Sequence, residues 1–396
     1  MHRQTKTWEN SLIWLGAGIS IAEILTGTYF APLGFARGIL AIILGHVIGC
    51  SLLFFAGLIG SQTRQNSMNT VKNSFGFRGA IVFALLNACQ LIGWTGIMIY
   101  DGAVAAQQAF HLAQWFWCLV IGLLIIIWLW IGVELLGKLN TVAMTLLLVL
   151  TFWLSWGIFH HSVAAPVIGS HLSFGAAVEL GVSMPLSWLP LISDYSSKAA
   201  RPLQATLVSF ISYGLVSCWM YLIGLGMSLL AGQTNLAKVM TASGMGIAGL
   251  LIIVFSTVTT TFMDAYSAGM SLNAVWPRFN GTVIAILTTI IGTVGALCLP
   301  MDNITNFLYL IGSVFAPMVT ILVMDYFVFR QNSFHQAYNV LNLVIWLLGF
   351  IAYRCLMTTD TIVGNTLPDV IIVAVLCLLW RGLTRVRQDS KKKEAD

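Results

Sequence analysis

The sequence predicts an all-α integral membrane protein of twelve transmembrane helices, arranged as a 5+5 inverted repeat followed by two C-terminal helices. Three observations lead there. The 396-residue chain is 58% hydrophobic and only 8% charged, against roughly 25% charged residues in soluble globular proteins. Apolar runs recur from end to end, each near the ~20 residues that a helix needs to cross a hydrocarbon layer of about 30 Å. The basic residues, finally, collect in alternate connections. The composition excludes a soluble core, so the lipid bilayer is the solvent.

Taken in order, the expected spans are 11–33, 38–61, 80–107, 115–134, 141–162, 175–195, 205–232, 241–272, 282–300, 305–329, 338–357 and 367–384. The first run is too long for a signal-peptide core and lacks a small-residue cleavage site, so it is expected to stay as the first span. Connections are short. The longest on its side, 62–79, reads as an ordinary loop, and no Pro-rich or Ser-rich linker interrupts the chain. Residues 1–396 are therefore expected to form a single membrane transport domain.

With the N-terminus placed inside, sixteen of the 19 Lys and Arg residues fall on the inner side, and only Arg37, Lys238 and Arg354 on the outer. This asymmetry fits an even span count with both termini cytoplasmic in a bacterial inner membrane. One missed or invented span would invert every later loop. The net charge of +5 thus reports orientation, and no nucleic acid is needed to explain it. Seven cysteines without CxxC spacing read as apolar packing residues, with no structural disulfide or metal cluster.

Helices 1 to 5 occupy 11–162 and helices 6 to 10 occupy 175–329, leaving 338–384 as an added pair. Five spans per half give the halves opposite orientations, which is the arithmetic of an inverted repeat and the plan of many secondary transporters. The first helix of each half carries breakers: Gly16 and Gly18 in helix 1, Pro185 and Pro190 in helix 6. Unwound backbone at membrane depth is tolerated where it lines a cavity or is buried in protein. Glycine in membrane helices also serves close packing. Two interruptions in corresponding helices favour a binding site at the midplane.

Three stretches carry side chains suited to such a site. In helix 8, Ser256, Thr259 and Thr260 stand at i, i+3 and i+4 and share one face. Their oxygens, with carbonyls of a broken helix 1 near Gly16, Ile19 or Ser20, would make an oxygen cage for sodium. Alternatively, the hydroxyls simply back-bond to their own helix. In helix 3, Gln90 and Trp94 lie on one stripe, a hydrogen-bonding amide beside a flat π-face that suits a planar heterocycle; packing between helices is the alternative. Helix 6 adds Ser187 and Trp188 between its two prolines. Intramembrane carboxylates are costly and mark function. The candidates are Glu23, Asp101, Glu179 and Asp264, of which Glu23 and Asp264 suit a substrate amine or hydroxyl, or a proton. No HExxH, GxSxG, P-loop or paired-aspartate motif points to an enzyme, and no filter-like repeat points to a channel.

These motifs in this order resemble the nucleobase:cation symporter-1 family, which includes cytosine and hydantoin permeases, and especially its CytX-type branch of hydroxymethylpyrimidine transporters. The resemblance covers nearly the whole chain. It rests on the Gly16 to Ser20 break, on Gly93 and Trp94, on SMPLSWLPLISDY at 183–195, and on the Ser256, Thr259, Thr260 spacing followed by AYSAG. It implies a LeuT-like fold. It also implies a sodium site at Gly16, Ile19, Ser256, Thr259 and Thr260, with sodium as coupling ion. Substrate would lie between helices 1, 3, 6 and 8, at Ser20, Glu23, Gln90, Trp94, Ser187, Trp188, Thr261 and Asp264. Two departures stand out. Cytosine permeases place Gln three residues before the Trp, whereas Gln90 is four before Trp94; and they use Asn on helix 8 where this chain has Thr261 and Asp264. The expected solute is thus a heterocycle other than cytosine, an aminopyrimidine with a hydroxymethyl group that is a thiamine precursor, imported by a monomer. The alternative is a proton-coupled symporter of cytosine, another nucleobase or a hydantoin-like ring, working through Glu23 or Asp264.

Overall fold

The computed structural model describes residues 4–131, 136–160, 171–230, 246–301 and 304–393, with Gly232, Leu236 and Lys238. Helices make up the fold; the one β contact among the described residues is an isolated bridge between Thr5 and Ala199. In chain order the helices are α1 (Thr7–Gly18), α2 (Ile21–Thr28), α3 (Gly34–Thr63), α4 (Ser67–Phe75), α5 (Gly79–Phe110), α6 (Gln114–Ile131), α7 (Leu136–His160), α8 (Phe174–Trp188), α9 (Ile192–Ser196), α10 (Pro202–Leu230), α11 (Gly246–Val275), α12 (Gly281–Cys298), α13 (Ile304–Val323), α14 (Val340–Leu356) and α15 (Thr366–Lys393). Each of the twelve expected spans meets one helix or one broken pair. Arg3 and the span ends at 132–134, 161–162 and 241–245 lie outside the described residues. Among the described residues, six helices are individually long and apolar enough to cross a membrane, and α1 with α2, bent by 49°, make a seventh if the pair is one span.

The first break falls just after the glycines. Ile19 leaves helical dihedrals (φ −85°, ψ 88°) and Ser20 is extended (φ −138°, ψ 155°). Ser20 then caps α2, its hydroxyl accepting the Glu23 amide at 3.2 Å, the N-terminal half of a capping box. Gly18 itself supplies clearance, since a Cβ there would crowd the Tyr213 carbonyl on α10. In helix 6, α8 runs through Pro185 to Trp188, and the chain turns over Leu189 to Leu191, around Pro190, before α9. Proline at 190 lacks the N–H that would continue the ladder.

The segment 62–79 contains a helix, α4, where the sequence was read as loop. Asn66 caps it by accepting the Asn69 amide at 2.9 Å, and Met68, Val71 and Phe75 are buried on one face. It ends at Gly76, whose φ of 81° suits glycine. That short amphipathic pattern is what a reading based on span-length hydropathy passes over.

Two groups of helices flank the centre. α1, α2, α3, α8 and α10 pack together, as do α5, α6, α11 and α12, with α13 against α8 and α14 and α15 against α13. Small residues set the first group: Gly27 and Gly224 let α2 and α10 touch backbone to backbone, and Gly45 and Gly49 let α3 seat against Val178, Gly181 and Pro185 of α8. In apolar surroundings such close approach replaces the missing hydrophobic drive between helices. The outer faces carry exposed Val47, Leu123, Trp130, Leu215 and Val294, a lipid-facing surface.

Candidate functional site

Where the two groups meet, the ends of α1 and α8 and the start of α2 face α5 and α11 across a cavity. It is lined by Ala17, Ser20, Ala22, Glu23, Trp94, Met98, Met184, Ser187, Trp188, Thr260 and Asp264. The volume open to the centre of a water-sized sphere is about 20 Å³, so the lining side chains stand close together around it. Every lining residue is buried, so the cavity lies inside the molecule rather than on its surface.

The two tryptophans on its walls are held by other rings. Trp94 meets Phe307 edge to face at 5.4 Å, and Gly93 makes room for that ring, since a Cβ there would lie 2.8 Å from Phe307. Trp188 meets Trp14 at 5.6 Å and Tyr213 at 6.3 Å, both edge-on. Rings fixed this way offer their faces to a planar solute at little entropic cost.

Polar groups in the cavity divide into spent and free. Glu23 accepts from the Tyr213 hydroxyl (2.8 Å) and the Ser217 hydroxyl (2.7 Å), both on α10. Ser187 donates to the Ser183 carbonyl at 3.0 Å. Asp264, by contrast, is buried at the cavity wall. Beside it the Thr260 hydroxyl, the Trp94 indole N–H and, one residue on, the Thr261 hydroxyl are unpartnered. Buried polar groups are rarely left so unless something binds them.

Gln90 and Thr261 do not line the cavity. Gln90 donates to Asn87 Oδ1 (2.8 Å) and to the Ser187 carbonyl (3.1 Å), and Asn87 donates to Ser271 Oγ (2.7 Å) and the Pro190 carbonyl (3.3 Å). These two amides on α5 thus satisfy carbonyls freed at the helix 6 break, which holds Ser187 and Trp188 in place. Asn87 was missed in the sequence, although it stands one turn before Gln90 on the same stripe. Met98 and Met184 were missed as well; nothing in an apolar span marks which methionines face a cavity. Of the remaining intramembrane carboxylates, Glu179 accepts from Tyr353, Thr366 and the Asn365 amide and so ties α8 to α14 and the start of α15.

Of the oxygens expected to hold sodium, several are already engaged within their own helices, as the back-bonding alternative has it. The Glu23 amide bonds Ser20 Oγ and leaves the Ile19 carbonyl unclaimed by it, while the Gly16 carbonyl accepts the Ile19 amide at 3.3 Å. Ser256 and Thr259 donate to carbonyls of their own helix, and a hydroxyl so engaged keeps lone pairs for a cation. Thr260 Oγ1 is buried without a partner.

The family model described as permease for cytosine/purines, uracil, thiamine, allantoin matches residues 1–362. The chain belongs to this family. Among curated relatives of this family member, the cytosine permease of Escherichia coli (strain K12) is 23% identical over 381 residues, 92% of this chain and 90% of the relative. The hydantoin permease of Microbacterium maritypicum is 22% identical over 372 residues, 83% of this chain and 74% of the relative. Among solved structures, a nucleobase-cation-symport-1 family transporter in a closed conformation with bromovinylhydantoin bound superposes with a TM-score of 0.81 at 18% identity, covering 96% of this chain and 94% of the other. A Na+-coupled sialic acid symporter follows at 0.72 and 14% identity, covering 94% and 88%. The fold is the LeuT-like one expected.

Proposed function

We propose that this protein is a secondary active importer of a small planar heterocycle, an aminopyrimidine bearing a hydroxymethyl group, driven by sodium. The observation that carries this reading is the buried Asp264 carboxylate, beside the unpartnered Thr260 hydroxyl, on a cavity walled by Trp94 and Trp188. An exocyclic amine or a hydroxyl donates to Asp264 while the ring lies against the tryptophans; a charge-assisted bond of this kind outweighs a neutral one. Membership of a permease family supports transport rather than catalysis. Sodium binding between α1 and α11 would order the Ile19 to Ser20 break and raise affinity for the solute, because a ligand shifts a conformational equilibrium only through its preference for one state.

The protein is taken to act as a monomer in a bacterial inner membrane with both termini cytoplasmic. In support, Arg64, Lys72, Lys198 and the N-terminal segment meet at one end of the molecule: Arg64 donates to the Ala199 carbonyl, and Lys72 to the Ala274 carbonyl at 2.7 Å.

Uptake into proteoliposomes tests this. With a sodium gradient, labelled hydroxymethylpyrimidine should accumulate and be displaced by itself far better than by cytosine, uracil or hydantoin. A second reading is proton-driven transport of cytosine; the cytosine permease likeness over nine-tenths of the chain favours its solute. Accumulation indifferent to sodium, driven by acidic outside pH and displaced best by cytosine, would establish that reading instead.

A further inference from the structure

Glu23 belongs to a buried chain of hydrogen bonds that extends past the cavity. Its Oε1 meets the Tyr213 hydroxyl and its Oε2 the Ser217 hydroxyl, and Ser217 Oγ in turn lies 2.6 Å from His46 Nε2 on α3. The other imidazole nitrogen, Nδ1, lies 2.8 Å from the Ile42 carbonyl. Glu23, His46, Tyr213 and Ser217 are all buried.

Counting hydrogens along this chain leads to a definite result. A carbonyl only accepts, so Nδ1 carries a hydrogen. Two bonds then meet at Ser217 Oγ, which owns one hydrogen. Whichever neighbour Ser217 donates to, the other must donate to Ser217. Either His46 Nε2 is also protonated and Glu23 is ionised, or Glu23 is protonated and His46 is neutral. Both arrangements hold one proton more than an ionised glutamate with a neutral imidazole, and both are electrically neutral overall. The remaining ionisable groups that face the chain are Tyr221 and Cys218 on α10, Cys50 on α3 and, across the cavity, Asp264 on α11. None of them is a lysine or arginine that would balance a negative charge.

We infer that Glu23, Ser217 and His46 form a proton-binding site that holds one proton while the cavity is closed over its solute. Loss of that proton leaves two lone pairs facing each other at Ser217 and an unbalanced buried charge. The contact then opens and releases Glu23, in the first turn of α2, from α10 and α3. Closure therefore selects the protonated chain, and solute affinity falls as pH rises. This step rests on the reading that the solute occupies the cavity.

Two measurements on the full chain test it. In calorimetry with hydroxymethylpyrimidine and cytosine as probes, run in buffers of different ionisation enthalpy between about pH 5 and 8, binding should take up as much as one proton. Affinity should weaken by as much as about tenfold per pH unit on the alkaline limb. His46→Gln supplies an amide that can donate to Ser217, so the lone-pair conflict is gone and only the buried charge still favours the proton; binding should persist with clearly smaller proton uptake and a shallower pH dependence. Binding without proton uptake in the wild type, or unchanged uptake in His46→Gln, overturns the inference. Infrared pH-difference spectra without solute should show a protonated carboxyl or imidazolium titrating in the wild type, with its titration shifted in His46→Gln. Identical spectra overturn it too. If neither probe binds but that spectral difference is present, the solute reading fails and the proton site stands.

Discussion

At the scale of single residues, Asp264 and Glu23 illustrate how two carboxylates on one cavity acquire different duties. Glu23 has its acceptors occupied by Tyr213 and Ser217, whereas Asp264 lines the cavity beside the unpartnered Thr260 hydroxyl. Asp264→Asn should therefore weaken solute binding by roughly tenfold to a hundredfold, the equivalent of about 1.5–3 kcal/mol for a hydrogen bond to a charged group, with the thermal midpoint in detergent little changed. Undiminished affinity in a binding assay would remove Asp264 from the site. Thr259→Ala with Thr260→Ala should raise the sodium concentration needed for half-maximal uptake while folding is retained; a sodium dependence like that of the wild type would place the ion elsewhere. The sequence made Asp264 and Glu23 visible because carboxylates are rare in apolar spans. It could not rank them, because the residues that occupy Glu23 stand 190 and 194 positions away.

At the scale of elements, the breaks in helices 1 and 6 matter most. Gly16, Gly18, Pro185 and Pro190 marked both helices correctly, but the unwound residues are Ile19 with Ser20, and Leu189 to Leu191. The signal for the first was present as Ser20 followed by Glu23, a helix-start pattern inside an apolar run. The glycines proved to be matters of clearance. Gly224→Ala would push a Cβ into the Ile24 carbonyl of α2, and overpacking of this kind costs about 1–3 kcal/mol. A lowered thermal midpoint is expected, together with weaker solute binding, since α2 carries Glu23. A variant as stable as the wild type would show that the two helices separate more readily than their packing implies. The helix α4 was hidden for a related reason: nine residues with three buried apolar side chains fall below the length at which membrane hydropathy is read.

At the scale of the whole molecule, the cavity depends on contacts far from it. The Thr5 amide donates to the Lys198 carbonyl and the Ala200 amide to the Thr5 carbonyl, with Arg64 donating to Ala199 beside them. This pins the segment before α1 to the chain after α9, so both broken helices are fastened at the same end. Arg64→Ala removes a charge-assisted bond, and amide exchange at residues 4–6 and 198–201 should quicken by roughly tenfold or more. Exchange that stays as slow as in the wild type would mean that the backbone bridge suffices alone.

By itself the sequence determined the solvent, the number and order of the spans, the end at which basic residues gather, and the two helices that break. Each of these follows from local composition, because a bilayer demands about 20 apolar residues per crossing wherever they occur. The tertiary structure decided which side chains share the cavity. Ser20, Glu23, Trp94, Ser187, Trp188, Thr260 and Asp264 come from four separate stretches, while Gln90 turns instead to the Ser187 carbonyl and Asn87. It also decided that Glu23 is joined to His46 through Ser217. Hydrogen-bond partners are set by the register of helices packed across the molecule, and in a uniformly apolar chain little short of the folded structure records that register.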